Sequence, residues 1–82
     1  MQGFSNDITG FAALTIVEFL IQELVIKGVL DKEEVDRLLE AAANRHDRAA
    51  NGELEIIGLN VEAARLIRAL SEGLQPLFAE AD

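Results

Sequence analysis

The segment that decides the fold reads ITGFAALTIVEFLIQELVIKGVL, from Ile8 to Leu30, and is the longest apolar-rich stretch of the chain. Its apolar residues recur at steps of three and four, which is the period of an α-helix, and the strict alternation of a strand is absent. Asp7 suits the cap of the first turn, and Gly28 suits the left-handed residue that ends a helix. The pattern therefore predicts a helix over about residues 7–28.

This helix carries more apolar surface than a single core-facing stripe requires. Its polar residues are few, and Thr15, Glu18 and Gln22 fall on one narrow line that we expect to face solvent. We therefore expect the helix to contact two partners, its own chain and a second copy. The predicted interface between copies consists of the apolar residues Phe11, Leu14, Val17, Leu20, Ile21 and Leu24.

Two further helices follow. Asp31 and Glu34 have the spacing of a capping box, which predicts a second helix over about residues 32–50. Asn60 is a plausible cap for a third helix over about residues 60–75, and Pro76 removes a backbone donor just beyond it. The chain is thus predicted to be all-α, a three-helix domain that pairs into a dimeric helical bundle.

The segment 51–59 between these helices is harder to assign. It opens with the turn dipeptide Asn51-Gly52 and continues as ELEIIGL, which is too apolar for a free loop. We expect an ordered connector whose aliphatic side chains pack against the bundle. The alternative is an α+β fold with a short strand near residues 54–59.

The length of 82 residues predicts a single domain over residues 1–82, with loose ends at 1–6 and 79–82. A core of this size gains stability when two copies associate.

The net charge of −8 argues against several classes of partner. A nucleic-acid-binding protein is normally basic, because neutralising phosphates supplies most of its affinity, and an anionic membrane surface repels an acidic chain. The central helix is long enough to cross a bilayer, but Glu18, Gln22 and Glu23 lie inside it and carboxylates are costly there. The amino-terminal sequence also lacks the basic region of a signal peptide. We expect a cytoplasmic protein that binds neither nucleic acid nor membrane.

Few residues offer chemistry. The chain has no cysteine and one histidine, so a cysteine-based zinc site and a multi-histidine metal site are excluded within one chain, and no cofactor is expected. His46 lies on the inner face of the second helix, where we expect it to cap a carbonyl or to pack. Glu18 could serve as an acid or base in an apolar setting, or could pair with Arg65 or Arg68 of a second copy.

These observations predict a non-enzymatic function. The sequence favours a small acidic helical protein that acts as a homo-oligomeric interaction or accessory module, a homodimer that also has the means to bind another protein. The alternative is a small protein that binds an apolar ligand in its helical core or in the groove between subunits.

Overall fold

The structure, a computed structural model, describes Gly3 and residues 6–79, apart from the side chain of Asn6. Within these residues every regular element is a helix and no strand occurs, which confirms the all-α prediction. The four helices are α1 (Asn6–Ile26), α2 (Lys32–Ala49), α3 (Leu54–Gly73) and α4 (Gln75–Ala79). Of the ends predicted to be loose, Gly3 lies in a turn, Asn6 begins α1 and Ala79 ends α4; residues 1–2, 4–5 and 80–82 lie outside the described residues.

The chain divides into two compact units, residues 1–30 and residues 31–82. The first unit consists of α1 and the turn that ends it. The second consists of α2, α3 and α4.

The end of α1 follows from one glycine. Gly28 has a φ of 77°, and its N–H donates to the carbonyl of Val25 at 3.0 Å. The next N–H, that of Val29, donates to the carbonyl of Leu24 at 2.9 Å. This pair of bonds is the Schellman motif, which satisfies the last carbonyls of a helix and requires a left-handed residue. The start of α1 differs from the prediction, because Asp7 lies in the first turn rather than in the cap position.

The second unit begins with the predicted capping box. The Asp31 carboxylate accepts the Glu34 N–H at 2.9 Å, and the Glu34 carboxylate accepts the Asp31 N–H at 3.0 Å. These reciprocal bonds satisfy two donors that the first turn of α2 would otherwise leave unpaired.

Helices α2 and α3 form an antiparallel hairpin. The turn between them spans residues 50–53, and Gly52 has a φ of 90°, a conformation that favours glycine. Two hydrogen-bonded pairs fix the register of the two helices: Ala49 with Asn60, and Asn44 with Arg68. A third pair, Asp36 with Gln75, joins α2 to the first residue of α4.

The predicted start of α3 was wrong. Residues 54–59, expected to form a connector or a short strand, are the first turns of α3, and Glu53 rather than Asn60 occupies the cap position. The physical reason lies in the packing of the hairpin, because Ile57 continues the helical line of Asn60 and Ala64 toward α2. Contacts along that line outweigh the weak helix propensity of Gly58 and of the isoleucines.

The buried apolar core of the second unit is small. Two of its members are alanines, Ala43 and Ala64, and small side chains allow two helices to approach closely. Pro76 cannot donate to the carbonyl of Glu72, and α3 ends at Gly73, close to the predicted end near residue 75. The short helix α4 that follows was not predicted from the sequence. The buried residues of the unit are Val35, Leu39, Ala43, Ala64, Leu74 and Phe78.

Candidate interaction surfaces

The exposed side of α1 is apolar. Its exposed line follows steps of four and three residues along the helix: Ala12, Ile16, Phe19, Glu23 and Ile26. Solvent reaches 67% of Ile16, 67% of Phe19 and 72% of Ile26. Large apolar side chains in such a continuous line are typical of a surface that contacts another molecule.

The residues predicted to form the interface between copies differ in their exposure. Phe11, Val17 and Leu20 are exposed, Leu14 and Leu24 are half-buried, and Ile21 is buried. Ile16, Phe19 and Ile26 lie outside the predicted interface, and their exposure shows that the described part of α1 presents apolar side chains on more than one side.

Of the polar residues of α1, only Glu23 belongs to the exposed line. Thr15 is exposed and its hydroxyl donates to the Phe11 carbonyl at 3.2 Å, but Glu18 and Gln22 are half-buried. Glu23 is exposed and lies 3.6 Å from Lys27, an ion pair one turn apart. Solvent therefore meets more apolar than polar side chains along this helix.

Helix α1 also meets the length and composition of a membrane-spanning helix, over Asp7–Ile26. The core helix of a soluble protein and a signal sequence meet the same criteria.

The hairpin contains a hydrogen-bonded group around Asn60, which we call the Asn60 cluster. The Asn60 amide nitrogen donates to the carbonyl of Ala49 at 3.3 Å and to that of Ile56 at 3.0 Å. Since both partners are carbonyls, the Asn60 oxygen faces His46 Nδ1 at 2.9 Å, and Nδ1 must carry the proton. The sequence favoured a histidine that caps a carbonyl or packs, whereas the structure pairs His46 with the side chain of Asn60.

One edge of the hairpin is polar, and its centre is Arg68. A single nitrogen of the Arg68 guanidinium lies 2.8 Å from Asp47, 3.2 Å from Glu40 and 3.2 Å from Asn44. These bonds, of which that to Asp47 has the largest effect, raise the pKa of Arg68 above its usual value. We call these four residues the Arg68 cluster. It links α3 to three successive turns of α2.

A second polar link lies nearer the end of α3. The Asp36 carboxylate accepts from Lys32 Nζ at 2.7 Å and from the Gln75 amide at 3.1 Å. The bond from Lys32, and then that from Gln75, lowers the pKa of Asp36 below its usual value. The same contact raises the pKa of Lys32.

The opposite edge of the hairpin is apolar. At about 100° of rotation per residue, Leu38, Ala42 and Ala49 lie on the side of α2 away from the Arg68 cluster. Helix α3 presents to the same side a line of residues at steps of three and four, and solvent reaches 68% of Leu59. We call this surface the hairpin apolar face; its α3 residues are Ile56, Leu59, Ala63, Leu66 and Leu70. The sequence pattern did not reveal this face, because Ile56 and Leu59 were assigned to a connector.

The described residues contain no group of three or more His, Asp or Glu side chains placed to hold a metal ion. The ionisable side chains with shifted pKa values, Lys32, Asp36 and Arg68, all take part in links within or between the helices of the second unit.

Comparison with protein-family models, with curated proteins and with solved structures finds no match for this chain.

Proposed function

We propose that this protein is a non-catalytic helical module that associates with a second copy of itself through α1. The observation that carries the proposal is the exposed line of α1, where Ile16, Phe19 and Ile26 present their side chains to solvent. Burying such side chains contributes about 25 cal/mol per Å² of apolar surface removed from water.

The polar groups of the hairpin support the non-catalytic part of the proposal. His46 and Arg68, the side chains best suited to chemistry, are engaged in hydrogen bonds that link α2 to α3. A group that acts on a substrate needs an approach to it, whereas these side chains are directed at their structural partners.

The arrangement of charges supports association in water rather than insertion in a membrane. Glu18, Gln22 and Glu23 would all have to enter the bilayer if residues Asp7–Ile26 crossed it, and polar and ionised groups there are costly. On this proposal the module is a cytoplasmic homo-oligomer.

The proposal is tested by placing a charge on the exposed line. Phe19→Asp should weaken association through α1, so that the molar mass falls at protein concentrations where the wild type is still associated, as measured by light scattering on a sizing column over a wide concentration range. Leu54→Asp is the matched control, since Leu54 is exposed outside α1 and its change should leave the mass unaltered.

Two results would contradict the proposal. One is a wild-type mass equal to that of a single chain at every concentration. The other is co-sedimentation of the wild-type protein with lipid vesicles that Phe19→Asp abolishes, which would make α1 a membrane-binding helix.

A further inference from the structure

The hairpin apolar face has the sequence pattern of a helix-pairing surface. Its residues on α3 follow alternating steps of three and four over five positions, which is the a/d pattern of helices that pack side by side. Leu59 and Leu66 are exposed, whereas the residues of α3 that face α2, such as Ala64, are buried. The hairpin therefore has one apolar side turned inward and a second turned outward.

The outer rims of this face carry opposite charges. Beyond Leu38 and Ala42, the outer side of α2 carries Arg45 and Arg48, and neither makes an ion pair with a described residue. Beyond Leu59 and Leu66, the outer side of α3 carries Glu55 and Glu62. Arg65 contacts one carboxylate oxygen of Glu62 at 2.8 Å and leaves the other for a further partner.

Charge distinguishes the two ways in which such faces can meet around a two-fold axis. If the axis runs along the helices, α2 of each copy lies on α3 of the other, and basic rims meet acidic rims. If the axis runs across the helices, α2 meets α2 and α3 meets α3, so like charges are opposed. Like charges in close apposition are strongly disfavoured, which selects the first arrangement.

The register of the hairpin supports the same arrangement. The bonded pairs Ala49 with Asn60 and Asn44 with Arg68 place Arg48 at the level of Glu62. Rotation about an axis parallel to the helices leaves each residue at the same position along that axis. Arg48 of one copy therefore meets Glu62 of the other. The small residues Ala49 and Ala63 then face each other between copies.

We propose that the hairpin apolar face binds the same face of a second copy, with α2 of each on α3 of the other, to form a four-helix bundle. This inference rests on the proposed function in that the partner is a second copy of the chain. It adds a contact surface separate from α1.

Cysteine cross-linking tests the arrangement directly, because the chain contains no cysteine of its own. The single variants Ala49→Cys and Ala63→Cys are mixed and oxidised under mild conditions. We expect the mixed disulfide to form at least about tenfold faster than either homodimer of cysteine variants, since disulfides require Cβ atoms about 3.5–4.5 Å apart. A faster Ala49→Cys homodimer, or no disulfide at all, would overturn the proposal.

Charge reversal provides a second test that leaves the apolar residues intact. Arg48→Glu should weaken association by about tenfold, and adding Glu62→Arg to the same chain should restore it. If α2 instead met α2 and α3 met α3, the arginine-to-glutamate change would replace repulsion between arginines by repulsion between glutamates. The affinity would then be unaltered, and that result would contradict the proposal. The Phe19→Asp variant reports on α1 alone, so failure of the hairpin contact and failure of the α1 contact are distinguishable.

Discussion

At the scale of single residues, Asn60 shows how one side chain can hold a hairpin together. Its amide donates to two backbone carbonyls while its oxygen accepts from His46, so three partners on two helices depend on it. An asparagine inside a helix is normally unfavourable, because its side chain competes for backbone hydrogen bonds. Here the competition is useful, since the carbonyl of Ala49 lies in the last turn of α2 and has lost its helical partner.

We predict that Asn60→Ala lowers the free energy of unfolding by about 2 kcal/mol, because it removes three hydrogen bonds and leaves His46 without its acceptor. Urea denaturation followed by circular dichroism measures the change. Asn51→Ala is the matched control: Asn51 is exposed and makes one side-chain bond, to the Arg48 carbonyl at 3.0 Å, so we expect a loss of about 0.5 kcal/mol. Equal losses of unfolding free energy in the two variants would show that the Asn60 cluster contributes no more stability than one exposed side-chain hydrogen bond.

Asp36 gives the hairpin a dependence on acid pH. Its pKa is lowered in the folded state, so the folded protein favours the ionised carboxylate more than the unfolded chain does. The resulting stability is present above the unfolded pKa and is lost as the pH falls through the folded pKa. We predict that Asp36→Asn flattens the decline in unfolding midpoint on acidification. An unchanged slope between about pH 5 and pH 2 would count against this role for the contacts with Lys32 and Gln75.

At the scale of the helix, the start of α3 is the feature that the sequence did not reveal. Residues 54–59 are bounded by Gly52 and Gly58, and glycines usually interrupt helices. Only one of these glycines acts as a boundary. Gly52 has a positive φ and turns the chain, whereas Gly58 lies within the helix with open space around the position of a Cβ atom.

We predict that Gly58→Ala stabilises the protein by about 0.5–1 kcal/mol, because alanine has the higher helix propensity and meets no neighbouring atom. Gly52→Ala should be destabilising, since its φ of 90° strains any residue with a Cβ atom. Thermal or urea unfolding of both variants measures the difference. A destabilising Gly58→Ala would show that residues 54–59 are not helical in solution.

Structural features that depend on residues close to a helix end could be predicted from the sequence. Features that depend on contacts with a partner helix could not. The capping box at Asp31, the glycine that ends α1 and the break before Pro76 are local, and all three agree with the structure. The start of α3 and the Arg68 cluster arise from contacts between α2 and α3. Such contacts join residues far apart in the chain, so the sequence pattern of one helix does not contain them.

At the scale of the whole molecule, the two units differ in which side chains they expose to solvent. Residues 31–82 have a buried core and a polar edge, while α1 in residues 1–30 exposes apolar side chains along most of its length. The first unit is therefore where association is expected to contribute most to stability. The sequence did predict this apolar excess, because composition alone reveals it.

We predict that a fragment of residues 31–82 folds without the first unit. Its helices should give a strong helical circular dichroism signal and a single cooperative transition in urea, because α2, α3 and α4 form one compact unit. A peptide of residues 1–30 alone should aggregate or bind detergent. A fragment 31–82 that lacks cooperative unfolding would show that the hairpin depends on α1.

The short turn between α2 and α3 also bears on how fast this unit acquires its structure. The Asn60 cluster lies next to the turn, the Arg68 cluster farther along, and the contact of Asp36 with Gln75 farthest of all. Each contact formed brings the next pair close, so the loop entropy lost at each step is small. The contacts should therefore form in order, starting at the turn. Helical proteins rich in local contacts fold in roughly microseconds to milliseconds. A newly synthesised chain would then spend little time with the facing apolar surfaces of α2 and α3 exposed to water.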